Sequence, residues 1–125
     1  MKVAYIFRTN MSSTFQLATM ILPQLENDLH GVDVVGMFLF DDSGFCFRMW
    51  DPVGERLSKL AQEKEILLMI SDQCAVRRNL AEGMFEQCGS GDVKPKDMVD
   101  GATVGCFPQM YQALSGNMVD QVITL

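Results

Sequence analysis

The sequence is short of several things, and each shortage removes a class of chemistry. It has one histidine, His30, in 125 residues. His30 falls between a predicted helix and the next predicted strand, at the edge opposite the loops where α/β proteins bind ligands. That placement removes the partner for a Cys–His nucleophile and for Ser–His–Asp chemistry, and His30 reads as structural or exposed. Cations are also few, 10 Lys+Arg against 16 Asp+Glu for a net charge of −6. Nucleic acid and anionic membranes call for clustered cations, so neither is an expected partner. No apolar run approaches the ~20 residues of a membrane-spanning helix. The apolar run at residues 3–7 is too short for the core of a secretory signal, so the expected location is the cytoplasm. The chain lacks G-x-G-x-x-G and a P-loop, which argues against dinucleotide and Mg-ATP binding, and no cofactor is expected.

What is present describes one folded domain, residues 1–125. Hydrophobic residues make up 48% and charged residues 21%, a composition that folds rather than stays disordered. A chain of this length buries roughly two thirds of its unfolded surface and needs no disulfide or metal to hold a core. It nevertheless carries four cysteines, Cys46, Cys74, Cys88 and Cys106. In a reducing compartment such thiols are catalytic, metal-binding or buried rather than a disulfide framework. No two show C-x-x-C spacing, so the spacing offers little support for a zinc site.

Along the chain, residues 2–8 predict a strand. The polar stretch TNMSST follows, with Ser13 and Gln16 in a capping-box pattern. A helix with Phe15, Ala18, Leu22, Leu25 and Leu29 inward then runs to about residue 28, kinked or divided at Pro23. Residues 32–40 are a continuous apolar run, as in a strand covered on both faces. The FCFRMWD segment reads as a loop or short element, and its apolar residues suit packing or an interface. Asp51 and Pro52 open a second helix with Val53, Leu57, Leu60 and Ala61 inward. Residues 65–71 are a third strand. A helix from 75 to 85 with a Val76, Leu80 and Met84 stripe, a loop at 86–96 and a helical turn near 95–100 follow. Residues 102–107 are strand four, Pro108 opens a helix to Leu114, and residues 120–125 are a final strand. Strand–helix alternation predicts a three-layer α/β/α fold with a five-stranded, mainly parallel sheet.

Cys74 is the sharpest position. It sits at a strand-to-helix junction, where free backbone N–H groups and the positive helix end favour thiolate. Arg77 and Arg78 are candidate stabilisers of an anion there, and Asp72 acts in the opposite sense. Cys106, ending strand four, and Cys88, beside Gly89-Ser90-Gly91, are candidate relay or resolving thiols if the fold brings them close. Cys46, between Phe45 and Phe47, reads as packing. TNMSST is a candidate phosphate turn.

At Cys74 the chain resembles the DsrE/DsrF/TusD-like sulfur-relay family. The resemblance runs from KVAYIF and its polar turn, through ILLMISDQCAVRRNLAEG, to PQMYQALSG and DQVITL. It implies a small α/β domain, often a homo-oligomer (trimer or hexamer), in which Cys74 is the sulfur-accepting cysteine. Such a cysteine takes a persulfide from a donor protein and passes it to an acceptor protein, a sulfurtransferase-like activity. Some relatives carry a second cysteine where this chain has Ser71, and a glycine where it has Asn79. Others lack the active cysteine and serve as assembly subunits. A binding or assembly subunit is therefore the alternative, and a thiol-ligated metal-binding protein is another.

Overall fold

The computed structural model describes all 125 residues, Met1–Leu125. Its strands are β1 (Lys2–Phe7), β2 (Asp33–Leu39), β3 (Leu67–Ser71), β4 (Ala81–Glu82), β5 (Lys94–Pro95), β6 (Ala102–Gly105) and β7 (Gln121–Thr124). Five of them form one sheet in the order β6-β3-β2-β1-β7, and every neighbouring pair is parallel. The short β4 and β5 pair antiparallel outside it. The α/β architecture expected from strand–helix alternation is therefore the one found, and all five main strands fall where the apolar runs predicted them.

The two faces of the sheet are covered unequally. From β1 to β2, β3 and β6 the chain steps in one direction, and right-handed crossovers place the intervening helices on one face. These are α1 (Leu22–Glu26), α2 (Pro52–Lys64) and α3 (Asp72–Arg77). They enclose a core of 23 buried residues that includes Phe7, Leu39, Phe47, Leu57, Ile70 and Ala75. The chain then crosses back from β6 to β7, so α4 (Phe107–Gly116) covers the other face. The buried set there is only Ala4, Phe38, Met69 and Met110. No helix is long and apolar enough to cross a membrane.

The first helix departs from the expected pattern. Residues Ser12–Ile21 are wound as a π-helix and only Leu22–Glu26 is α-helical. The wider i→i+5 winding is seen in the Leu22 N–H bond to the Leu17 carbonyl. It places Leu17 and Leu22 in the core, while Phe15 and Leu29 are exposed. Pro23 follows directly on the change of winding. The hydroxyls of the preceding turn are spent internally: Thr9 and Ser12 exchange backbone N–H to side-chain bonds, and Ser13 and Thr14 donate to the Asn10 carbonyl. This reciprocal cap replaces the one expected from Ser13 and Gln16, and it commits the Ser12, Ser13 and Thr14 hydroxyl protons to backbone carbonyls of the turn rather than to a phosphate.

Two other expectations are corrected. The helix expected over 75–85 stops at Arg77, because Asn79 takes a left-handed conformation (φ 59°) that asparagine tolerates and that ends a helix. Leu80 stays buried and the chain continues into β4, leaving Met84 exposed. The helical turn expected near 95–100 is instead β5 and a bridge from Met98 to Arg48.

The segment before α2 is a 3₁₀ helix, Asp41–Phe47. Its Cys46 and Phe47 point inward, whereas Met49 and Trp50 are exposed, so only its end offers interface surface. Asp51 caps α2 by accepting the Val53 and Gly54 N–H groups. A Cβ on Gly54 would lie 2.1 Å from the Cys46 carbonyl oxygen. His30 is structural: Nε2 lies 2.8 Å from the Tyr5 hydroxyl and Nδ1 lies 2.9 Å from Gln24 Oε1. Burial holds its pKa below the ordinary histidine value.

Two outcomes follow for stability. Gly54→Ala meets a backbone oxygen that cannot yield, so a loss of about 3 kcal/mol is expected, at the upper end of overpacking costs. Urea melts should show a lower midpoint at unchanged slope. For His30, the unfolded chain takes up a proton near pH 6.5 and the folded chain only at lower pH. The stability it contributes is therefore complete above that value and lost as the pH falls through the folded pKa. His30→Gln should flatten this part of a stability–pH profile, and an unchanged profile would contradict the assignment.

Candidate functional site

β3 and β6 are hydrogen-bonded neighbours, yet the chain leaves them toward opposite faces, into α3 over the large core and into α4 over the small one. Open α/β sheets bind ligands in the crevice that such a divergence opens at the carboxyl ends of the strands. The residues at these two strand ends are Asp72 and Cys74 on one side and Cys106 on the other.

Cys106 is the N-cap of α4, with extended backbone and Pro108 in the first turn. Its N–H donates to Gln109 Oε1 at 2.8 Å, and its sulfur accepts a backbone N–H of the same turn. Gln109 also reaches outward, its Nε2 donating to the Gly89 carbonyl at 3.0 Å. The Gly89 N–H in turn donates to Asp72 Oδ2 at 2.7 Å, and the Gln73 N–H donates to Asp72 Oδ1 at 2.6 Å. Gly89 makes this connection at φ 78°, a conformation glycine adopts without a steric penalty. The loop carrying Cys88 is thereby folded back over the strand ends.

The result is a cluster absent from the sequence spacing. Cys88 Sγ lies 3.9 Å from Cys106 Sγ, and one ligand atom each from Asp72, Cys88 and Cys106 lie within 4.8 Å of one another. Asp72 is 1% exposed and Cys106 8% exposed, while Cys88 is exposed. Burial, with the Asp72 carboxylate and Cys88 adding to it, pushes the Cys106 thiol up to about 11 against the pull of the α4 backbone N–H.

Cys74 stands in a different environment. It is partly exposed, and its Sγ accepts the Asp41 N–H at 3.2 Å. Asp41 presents that N–H from a left-handed conformation (φ 52°) at the start of the 3₁₀ helix. Asp41 Oδ1 lies 3.9 Å from the same sulfur and accepts a hydrogen bond from its S–H. α3 has six residues, so the Asp41 N–H, rather than a long helix dipole, is the specific contact to this sulfur. Arg78 donates to the Cys74 carbonyl at 3.0 Å and pairs with Asp42 at 2.8 Å, its guanidinium lying over the Phe45 ring. It therefore fixes the loop that holds Asp41 and does not contact the sulfur. Arg77 is exposed.

Cys46 is buried in the main core. Its thiol is pushed far up by loss of solvent, with the charge of Asp51 adding to it. Sequence reading did not single out Asp72 as a site residue or the Asp41 N–H as a sulfur contact. An acidic residue directly after the apolar run of β3 was the available signal for Asp72, and the backbone contact had none. A groove of about 640 Å³ lies at the opposite edge of the sheet, beside Lys2, His30 and Lys64, and it contains no cysteine.

Native alkylation should separate the four thiols. Cys74 and Cys88 are expected to react in the native protein at neutral pH, and Cys106 and Cys46 only after unfolding, read by peptide mass at successive times. Rapid labelling of Cys106 in the native protein would contradict the described packing.

No protein-family model and no curated protein matches this sequence. Among solved structures, the chain is similar to the crystal structure of the ychN protein from E. coli. The two are 13% identical, the match covers 99% of this chain and 98% of that one, and the TM-score is 0.66. The chain thus shares the fold of that protein over almost its whole length.

Proposed function

We propose that this protein is a sulfur-relay protein that carries a persulfide on Cys74 and passes it to a partner. The observation that carries this reading is the Cys74 sulfur, partly exposed at the carboxyl edge of the sheet and accepting the Asp41 N–H at 3.2 Å. A hydrogen-bond donor to sulfur favours the anionic form of a thiol and of a persulfide. The fold, shared with the ychN protein over almost the whole chain, supports the small α/β domain that the resemblance around Cys74 implies.

The chemistry needs no cofactor. The Cys74 thiolate attacks the outer sulfur of a donor persulfide. The donor's S–S bond breaks, the donor leaves as a thiolate, and Cys74 gains an S–SH group. An acceptor thiolate then attacks that outer sulfur, and Cys74 is released as a thiolate. Each transfer exchanges one S–S bond for another, so no external oxidant or reductant is required. The resting Cys74 thiol donates a hydrogen bond to Asp41 Oδ1 at 3.9 Å, and its proton leaves to solvent before the attack. Arg78 acts as a positioning residue through its pair with Asp42. In this reading the donor and acceptor are proteins of a reducing, cytoplasmic compartment, and Cys88 and Cys106 are the candidate relay thiols.

The reading includes a homo-oligomer, a trimer or hexamer. Exposed apolar side chains suited to it lie on and beside the thinly covered face: Phe107, Tyr111, Met118 and, on the edge strand, Val122 and Ile123. The same surface supports the alternative of a non-catalytic assembly subunit.

Incubation with a small persulfide donor followed by whole-protein mass measurement separates the two. The wild type is expected to gain one sulfur, and Cys74→Ser is expected to lose most of that gain. An adduct undiminished in Cys74→Ser would remove Cys74 from the role, and a wild type that gains none would leave the assembly subunit.

A further inference from the structure

We infer that Asp72, Cys88 and Cys106 form a binding site for a thiophilic divalent cation of the zinc class. The site is distinct from Cys74 and would be formed by residues 16 and 18 positions apart in sequence.

Three observations carry this. The first is spacing. Two thiolates bound to one tetrahedral zinc ion at Zn–S distances of about 2.3 Å stand roughly 3.8 Å apart. The Cys88 and Cys106 sulfurs are 3.9 Å apart before any ion is considered. The carboxylate of Asp72 completes a three-ligand set whose atoms all lie within 4.8 Å of one another. Three protein ligands leave a fourth position for water or an incoming sulfur ligand, the arrangement of an open zinc site.

The second is charge. Asp72 is 1% exposed, and no lysine or arginine pairs with it among the ion pairs of the molecule. Backbone N–H groups of Gln73 and Gly89 take one bond at each carboxylate oxygen, and each oxygen retains a second lone pair. A buried carboxylate without a counter-cation, facing two thiols, is a costly arrangement for anions alone. A divalent cation reverses that cost. On binding, the two thiol protons leave to solvent, and two thiolates with one carboxylate offset the dipositive ion to a net charge of −1 at the site.

The third is support behind the ligands. Metal sites depend on groups that hold the first ligands in place. Here the Gly89 and Gln73 N–H groups orient Asp72. Gln109 holds both the Cys106 N–H and the Gly89 carbonyl, so the strand end and the Cys88 loop are fixed by one side chain. A Cβ at Gly105 would lie 2.8 Å from Gln109 Cβ, so the absence of a side chain there lets Gln109 sit against the strand.

The test uses the reduced, full-length protein, stripped with a chelator under anaerobic conditions. Zinc is titrated against a chromophoric competitor, and Co²⁺ is then used as a spectroscopic probe. The expected result is one equivalent of Zn²⁺ and a thiolate-to-cobalt charge-transfer band. Cys88→Ser and Cys106→Ser should each weaken Zn²⁺ binding about tenfold or more and reduce the band. Asp72→Asn should weaken binding with the band retained. Cys88 is exposed, so Cys88→Ser keeps the test valid if a buried variant fails to fold. Absence of a stoichiometric site, or zinc affinity unchanged in Cys88→Ser, would overturn the proposal. Cys74→Ser should bind Zn²⁺ as the wild type does while losing the persulfide, so failure of this site and failure of the sulfur-relay reading are separately visible.

Discussion

The thiol-bearing edge depends on a divergence of the backbone. β3 and β6 lie side by side, but the chain leaves β3 toward the face holding the large core and leaves β6 toward the face holding the small one. This follows from strand order. Three crossovers step one way along the sheet and the fourth returns, and a right-handed chain cannot place that last helix on the same face. A crevice between the two strand ends is the geometric consequence. Asp72 and Cys106, 34 positions apart, face each other because of it.

Asp72 then organises what the divergence opens. Its carboxylate accepts N–H groups from α3 and from the loop bearing Cys88, and Gln109 ties that loop to α4. Burial, with the Asp72 charge adding to it, makes Cys106 a reluctant acid, and the 3₁₀ helix gives Cys74 an N–H of its own. The four thiols are consequently unlike. Cys46 is core, Cys74 is a partly exposed sulfur with a donor and a carboxylate beside it, and Cys88 and Cys106 are a close pair beside a fixed carboxylate.

The fold was largely legible in the sequence because its strands are continuous apolar runs bounded by polar turns, and a sheet buried on both faces demands such runs. The helices were less so. Apolar spacing does not distinguish π from α winding, so Phe15 was assigned to a face it does not occupy, and Leu29 was assigned to a helix that ends at Glu26. The expected third helix was too long because its stripe of Val76, Leu80 and Met84 says nothing about the left-handed Asn79 that ends it. At the site, Cys74 at the head of a helix was readable as a local junction. The Asp72, Cys88 and Cys106 cluster was not, since it arises from a loop folding back through backbone bonds to Gly89, and backbone bonds leave no trace in residue type.

We propose that sulfur enters this molecule at Cys74 rather than at the exposed thiol of Cys88. Mapping the sulfane sulfur by peptide mass spectrometry, at one equivalent of donor and short times, tests it most directly. The extra sulfur is expected first on the peptide containing Cys74, with Cys88 and Cys106 modified later or not at all. Sulfur that arrives first on Cys88, with Cys74 unmodified, would contradict it.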